Sequence, residues 1–117
     1  MTVRDVAEAF AALCREGRHE EAGRRFWAEG IVSVEAMDGP MARCEGLAAV
    51  RAKTEWWVAN HEVHGGSTEG PFVNGDQFAL VFQLDVTAKA TGQRMQMREV
   101  GIYTVSDGKV VEERFFY

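Results

Sequence analysis

Apolar residues recur at spacings of three and four early in the chain and at spacings of two over its second half, a pattern that predicts helices followed by sheet. Thr2, with Asp5 three residues later, starts a helix whose inner face carries Val6, Phe10 and Leu13 and which stops at Gly17. A second helix is expected over residues 18–29, with Ala22 and Phe26 inward, Arg24 and Arg25 in water, and Gly30 as its end. From Ile31 the period becomes two: Val32, Val34 and Ala36 alternate with Ser33, Glu35 and Met37, which gives a strand with one apolar and one mixed face. Asp38-Gly39-Pro40 turns that strand into a return strand over 41–45, and Gly46 leads into a long helix over 47–60. On that helix Val50, Thr54, Trp57 and His61 form a stripe that should point inward. Strands are expected over 62–69, 77–89, 93–105 and 109–117, separated by turns at Gly70-Pro71, Asn74-Gly75, Thr91-Gly92 and Asp107-Gly108.

A two-residue loop at Thr91-Gly92 would set Leu84 opposite Glu99, Phe82 opposite Gly101 and Leu80 opposite Tyr103. Glu99 then stands on an apolar face with Phe78, Phe82, Met97 and Tyr103, where a carboxylate must find a partner, stay protonated or line a cavity. The same pairing sets Asp85 against Arg98 on the other face, beside Val81, Val100 and Ile102. That face is too apolar for plain surface and suits a subunit interface. For the last strand, a two-residue turn at Asp107-Gly108 would turn Glu112 and Arg114 inward. A type I turn with a glycine bulge would instead bury Val111, Glu113, Phe115 and Tyr117, and is preferred because it buries aromatics.

A chain of 117 residues with 46% hydrophobic and 26% charged residues suits a single soluble domain over 1–117. A net charge of −5 with scattered arginines offers no basic stripe, so nucleic acid is not an expected partner, and no apolar run is long enough to span a membrane. Met-Thr-Val-Arg-Asp lacks the apolar stretch and cleavage site of a signal peptide, so a cytoplasmic location is expected. Cys14 and Cys44 lack disulfide or zinc spacing and read as two reduced thiols. His61-Glu62-Val63-His64 is not the helical His-Glu-x-x-His spacing, and no nucleotide or phosphate fingerprint occurs. No metal and no cofactor are expected.

The helix pair closed by Gly17, Gly46 before Leu47-Ala48-Ala49-Val50, and Asp107-Gly108-Lys109-Val110-Val111 before the final strand resemble the nuclear transport factor 2-like superfamily. Within it they are similar to the SnoaL-like proteins, over essentially the whole chain. The resemblance implies an α+β cone-shaped barrel: a curved, mostly antiparallel sheet wraps a long helix, with two further N-terminal helices and a deep apolar pocket. It also implies dimerisation through the sheet's outer face. Ketosteroid isomerases, polyketide cyclases, dehydratases and epoxide hydrolases share this fold, so residues must choose among them. Compared without gaps, the isomerase's oxyanion-donating tyrosine falls at Phe10, its base aspartate at Val34 beside Glu35, and its second acid at Val100 beside Glu99.

Glu99, Glu35 and His61 are therefore the candidate catalytic residues, and Trp57, Tyr103, Phe82, Met97 and Phe10 the candidate pocket lining. Glu99 should titrate above the roughly 4.3 of a free glutamate, because desolvation disfavours its charge. Two functions fit. One is an enzyme acting on a small, largely apolar carbonyl, hydroxyl or epoxide compound, with Glu99 or Glu35 as acid or base and His61 or Tyr103 donating to the oxyanion. The other is a module that binds such a molecule without turning it over.

Overall fold

In a computed structural model, which describes residues 1–117, helix α1 (Val3–Arg15) opens on the expected capping box. The Asp5 N–H donates to the Thr2 hydroxyl and the Thr2 N–H donates to the Asp5 carboxylate, so two backbone donors that the first turn orphans are satisfied. Gly17 follows with φ 75°, and helix α2 (His19–Phe26) begins. That helix ends well short of Gly30. Trp27 leaves it in extended conformation because the chain there pairs in parallel with the last strand, Trp27 beside Val110, so strand β1 (Trp27–Val34) starts four residues earlier than its alternation suggests. Along β1 it is the mixed face that turns inward: Ile31 and Ser33 are fully buried, whereas Val32 and Val34 are only half-buried.

Strand β2 is only Arg43–Glu45, and helix α3 (Leu47–Asn60) runs as expected. Of the α3 stripe, Val50 is buried while Thr54, Trp57 and His61 remain half-buried. Strand β3 (His61–Asn74) does not turn at Gly70-Pro71. A register shift between Glu69 and Phe72 absorbs both residues, a place where proline's missing N–H is tolerated, and the Arg15 guanidinium donates to the Gly70 carbonyl.

Strands β4 (Gln77–Ala88), β5 (Gln93–Ser106) and β6 (Lys109–Phe116) complete a six-stranded sheet in the order β2-β1-β6-β5-β4-β3. Only β1 and β6 are parallel, and β2 and β3 are free edges, so the sheet curves without closing into a barrel. Helix α1 lies over β3, β4 and β5, while α3 packs on β1 and β2 and meets β3 at its end. The core between them includes Val6, Phe10, Phe26, Ile31, Phe78 and Leu80. No helix is long and apolar enough to cross a membrane. Cys14 and Cys44 are free and buried.

Two registers differ from expectation. Ala88 pairs with Gln93, so the β4–β5 loop has two more residues than Thr91-Gly92 alone, and Glu99 faces Phe82 rather than Leu84. Phe82 is thereby taken from Gly101, which faces Leu80, and Tyr103 faces Phe78. A slip of two residues keeps every side chain on its face, so Glu99 still points inward. Asp85 consequently stands opposite Gln96, and its ion pair is with Arg94, at 2.9 and 2.7 Å, not Arg98. At the β5–β6 turn Asp107 and Gly108 both have positive φ, 51° and 74°, in a two-residue loop between Ser106 and Lys109. The flip arises one step later, at a register shift between Thr104 and Val105, which turns Val110 rather than Val111 inward and places Glu113 opposite Tyr103 and Phe115 opposite Gly101.

Candidate active site

The parallel pairing of β1 with β6 sets Ser33 beside Glu113, and the antiparallel pairing of β6 with β5 sets Glu113 beside Tyr103, so three polar side chains form a row across the inner face of the sheet. Glu113 is 4% exposed. The Trp27 indole N–H donates to its Oε1 at 2.8 Å and the Ser33 hydroxyl to its Oε2 at 2.7 Å, so both oxygens of this buried carboxylate are satisfied. Lys53 reaches in from α3, its side chain 12% exposed, and donates to the Ser33 hydroxyl and, at 2.8 Å, to Glu35 Oε2. The Tyr117 hydroxyl donates to the other Glu35 oxygen at 3.1 Å, and the Lys53 ammonium stands 5.5 Å from the centre of the Phe115 ring.

Glu99 lies on the same inner face, two residues before Gly101 and four before Tyr103. The absent side chain at Gly101 makes room for the phenol: a Cβ there would lie 2.8 Å from the Tyr103 hydroxyl oxygen. Tyr103 is thus folded back over Gly101, stacked on Phe78 at 4.9 Å between ring centres and 4.8 Å from Phe10. Lys53 thus holds Glu35 directly and Glu113 through Ser33, and Glu99 stands on the same inner face beneath an aromatic core.

Burial raises Glu99 to about 7, with Glu35 and Glu113 pushing it up and Lys53 pulling it down. Burial also raises Glu113, against the hydrogen bonds from Ser33 and Trp27 that favour its charged form. Tyr103 is held well above its ordinary value by burial and by the surrounding acids, and so stays protonated. Cys14, whose charge neighbours include Glu113, is pushed to about 12 by burial and is no nucleophile.

Glu99 stands on the same inner face as Tyr103 with Phe82 directly across the strand pair, and Glu35 is held by Lys53 and Tyr117. His61 does not join them. Its Nδ1–H donates to the Trp57 carbonyl at 2.8 Å and its ring stacks on Trp57 at 4.3 Å, which is a helix-end role, and the charged groups acting on Glu99 are Glu35, Lys53 and Glu113. His64 bonds Thr87 at 2.7 Å in an exposed position, so the two imidazoles serve separate partners. Phe10 is a core residue whose ring touches Phe26, Phe78 and Tyr103. Met97 is half-buried, as are Leu84, Met95 and Trp57, where α3 leaves the inner face of β4 and β5 uncovered. Two clefts lie elsewhere: one of about 70 Å³ between α2 and α3, with Arg24, Trp27 and Arg51 in its wall, and an open groove of about 310 Å³ over Gly65, Gly66 and Asp85.

The open α+β cone is a fold that known proteins share, and the SnoaL-like domain family matches residues 1–117. The chain belongs to that family. A solved SnoaL-like structure from Mesorhizobium loti, whose description proposes a polyketide cyclase and adds carbohydrate phosphatase in brackets, is 56% identical over 100% of both chains, with a TM-score of 0.98. A cystatin-like protein from Xanthomonas campestris shares the fold at 18% identity, TM-score 0.79, covering 99% of this chain and 90% of that one. So does a protein from Catenulispora acidiphila with a ketosteroid isomerase-like fold, described in complex with trimethylamine, at 16% identity, TM-score 0.76, covering 99% and 87%. No curated protein matches the sequence.

For this SnoaL-like chain, sequence reasoning overlooked Lys53, Ser33, Trp27 and Tyr117 as site residues. Lys53 carried a usable signal, since it lies three residues after Val50 and four before Trp57 and is the lone cation on that stripe. Ser33 and Trp27 carried none, because their importance comes from a strand 80 residues away.

Proposed function

We propose that this SnoaL-like chain binds a small, largely apolar carbonyl, hydroxyl or epoxide compound and moves a proton on it. Glu99 is the acid–base group and the Tyr103 hydroxyl donates to the developing oxyanion. The observation that carries this is Glu99 itself: a carboxylate held near neutrality at about 7 on an apolar face, poised to give or take a proton at ordinary pH. The phenol that the isomerase carries on its first helix is absent at Phe10. Tyr103, whose ring packs 4.8 Å from Phe10, supplies one from β5 instead. Half-buried Trp57, Leu84, Met95 and Met97 offer the apolar surface that would receive the ligand. Polyketide cyclase, one of the two activities proposed for the 56% identical Mesorhizobium loti protein, supports the carbonyl class.

Deuterium exchange at the carbon next to the carbonyl of small cyclic ketones, followed by NMR, tests the reading. Exchange should rise with pH through about 7, and Glu99→Gln should slow it by roughly 100-fold or more, while the surface change Glu112→Gln leaves it intact. Saturable ketone binding with no exchange would make the chain a non-catalytic binding module instead. Neither binding nor exchange across carbonyl, alcohol and epoxide panels would end both readings.

A further inference from the structure

Lys53 is the cation that reaches into this interior, and its contacts with the carboxylates there are unequal. From α3 it donates to Glu35 Oε2 at 2.8 Å and to the Ser33 hydroxyl, and Ser33 donates onward to Glu113 Oε2 at 2.7 Å. An ammonium has only protons to give, so Ser33 accepts from Lys53 through one lone pair while its own proton goes to Glu113. The Trp27 N–H, likewise only a donor, commits the other Glu113 oxygen at 2.8 Å. The Tyr117 hydroxyl donates to Glu35 Oε1 at 3.1 Å. Each oxygen of Glu35 and Glu113 thus accepts one of these hydrogen bonds, while Glu99, on the same face, receives none of them.

We propose that Lys53 is the positioning residue of the site: by holding Glu35 directly and Glu113 through Ser33, it keeps those two carboxylates as acceptors and leaves Glu99 as the carboxylate that takes up and releases the proton. This rests on the acid–base role proposed for Glu99 and adds what sets its working pH. The charged and titratable groups acting on this interior come from several elements. They are Lys53 of α3, Glu35 after β1, Glu113 of β6 with Tyr117 after it, Tyr103 of β5 and Cys14 of α1, and His19 of α2 stands behind Phe82, the two ring centres 5.5 Å apart. Among them Lys53 is the one that favours the charged form of Glu99, against Glu35 and Glu113. The lysine is itself fixed, with 12% of its side chain exposed and its ammonium near the Phe115 ring, so its charge cannot swing away into water.

The test is a side-chain carboxyl NMR titration of Glu99 in ligand-free protein. In Lys53→Met the Glu99 pKa should rise by about one unit or more, the size expected for losing a nearby opposite charge. Lys53→Arg, which keeps the charge, should restore it most of the way, a rescue that a merely structural role would not produce. In Glu35→Gln, where Lys53 keeps its bond to Ser33 and loses its competing carboxylate, the Glu99 pKa should fall. If Lys53→Met does not fold, Lys53→Gln, which keeps a donor and loses the charge, takes its place with the same expected rise. An unmoved Glu99 in the folded variants overturns the proposal. Since the readout needs no substrate, a shift without any turnover would keep the lysine's role and end the catalytic reading, and turnover without a shift would do the reverse.

Discussion

A glutamate whose folded pKa lies above its unfolded one binds its proton more tightly when the chain is folded, so ionising it works against folding. For Glu99 the change is from 4.5 to about 7. Its contribution is most favourable below about pH 4.5 and is lost as pH rises through about 7, because in that window the folded state holds more proton than the unfolded one. Partial exposure trims the Glu99 effect to at most about 3 kcal/mol. Glu113, raised by burial, adds a change of the same sign. Glu99→Gln should therefore stabilise the protein by about 1–3 kcal/mol near pH 8 and change it little near pH 4. Urea denaturation at the two pH values checks this, and an equal gain at both, or a loss near pH 8, would refute the placement of this carboxylate. The apolar face of Glu99 was legible in the sequence because alternation in a long strand needs only neighbours two residues apart. The role expected of His61 was not, since its ring is satisfied by the Trp57 carbonyl one helical turn back.

At the scale of elements, α2 shows a local preference overruled. Glycine inside a helix costs roughly 1 kcal/mol relative to alanine, so Gly23→Ala would ordinarily stabilise. Here a Cβ at Gly23 would lie 2.4 Å from the Cζ2 atom of Trp27, inside the ring that donates to Glu113. Gly23→Ala is expected to cost about 1–3 kcal/mol, as overpacking does, and to shift tryptophan fluorescence as the indole moves. A stabilised variant with unchanged fluorescence would show that the ring is not wedged there. The sheet shows how pattern and pairing part company. The β4–β5 slip of two residues left Glu99 inward but exchanged its partner from Leu84 to Phe82, and it moved the Asp85 ion pair to Arg94.

For the whole molecule, the outer sheet face bears on assembly. Val81 stands directly opposite Val100, and Ala79 opposite Ile102, so the register gathers these apolar residues into one continuous half-buried patch. Phe116, 51% exposed, pairs with Val100 from β6 and extends it. A face of this kind is expected to bury itself against a second copy of the chain. Sedimentation should show a homodimer at micromolar concentration, and Val100→Glu with Ile102→Glu should give monomer or insoluble protein. A monomeric wild type would remove the dimer.

The order of helices and strands, the Thr2 capping box, the stop at Gly17 and the inward face of β4 and β5 were determined by sequence alone, because each depends on residues within a few positions of one another. The end of α2 at Trp27, the inward face of β1 and the cluster of Ser33, Lys53 and Glu113 were decided only by the tertiary structure. All three follow from the parallel pairing of β1 with β6, strands at opposite ends of the chain. Nothing in the local pattern of either strand records that pairing. Once the two strands lie side by side, Trp27 and Ser33 supply the donors that the buried Glu113 carboxylate needs.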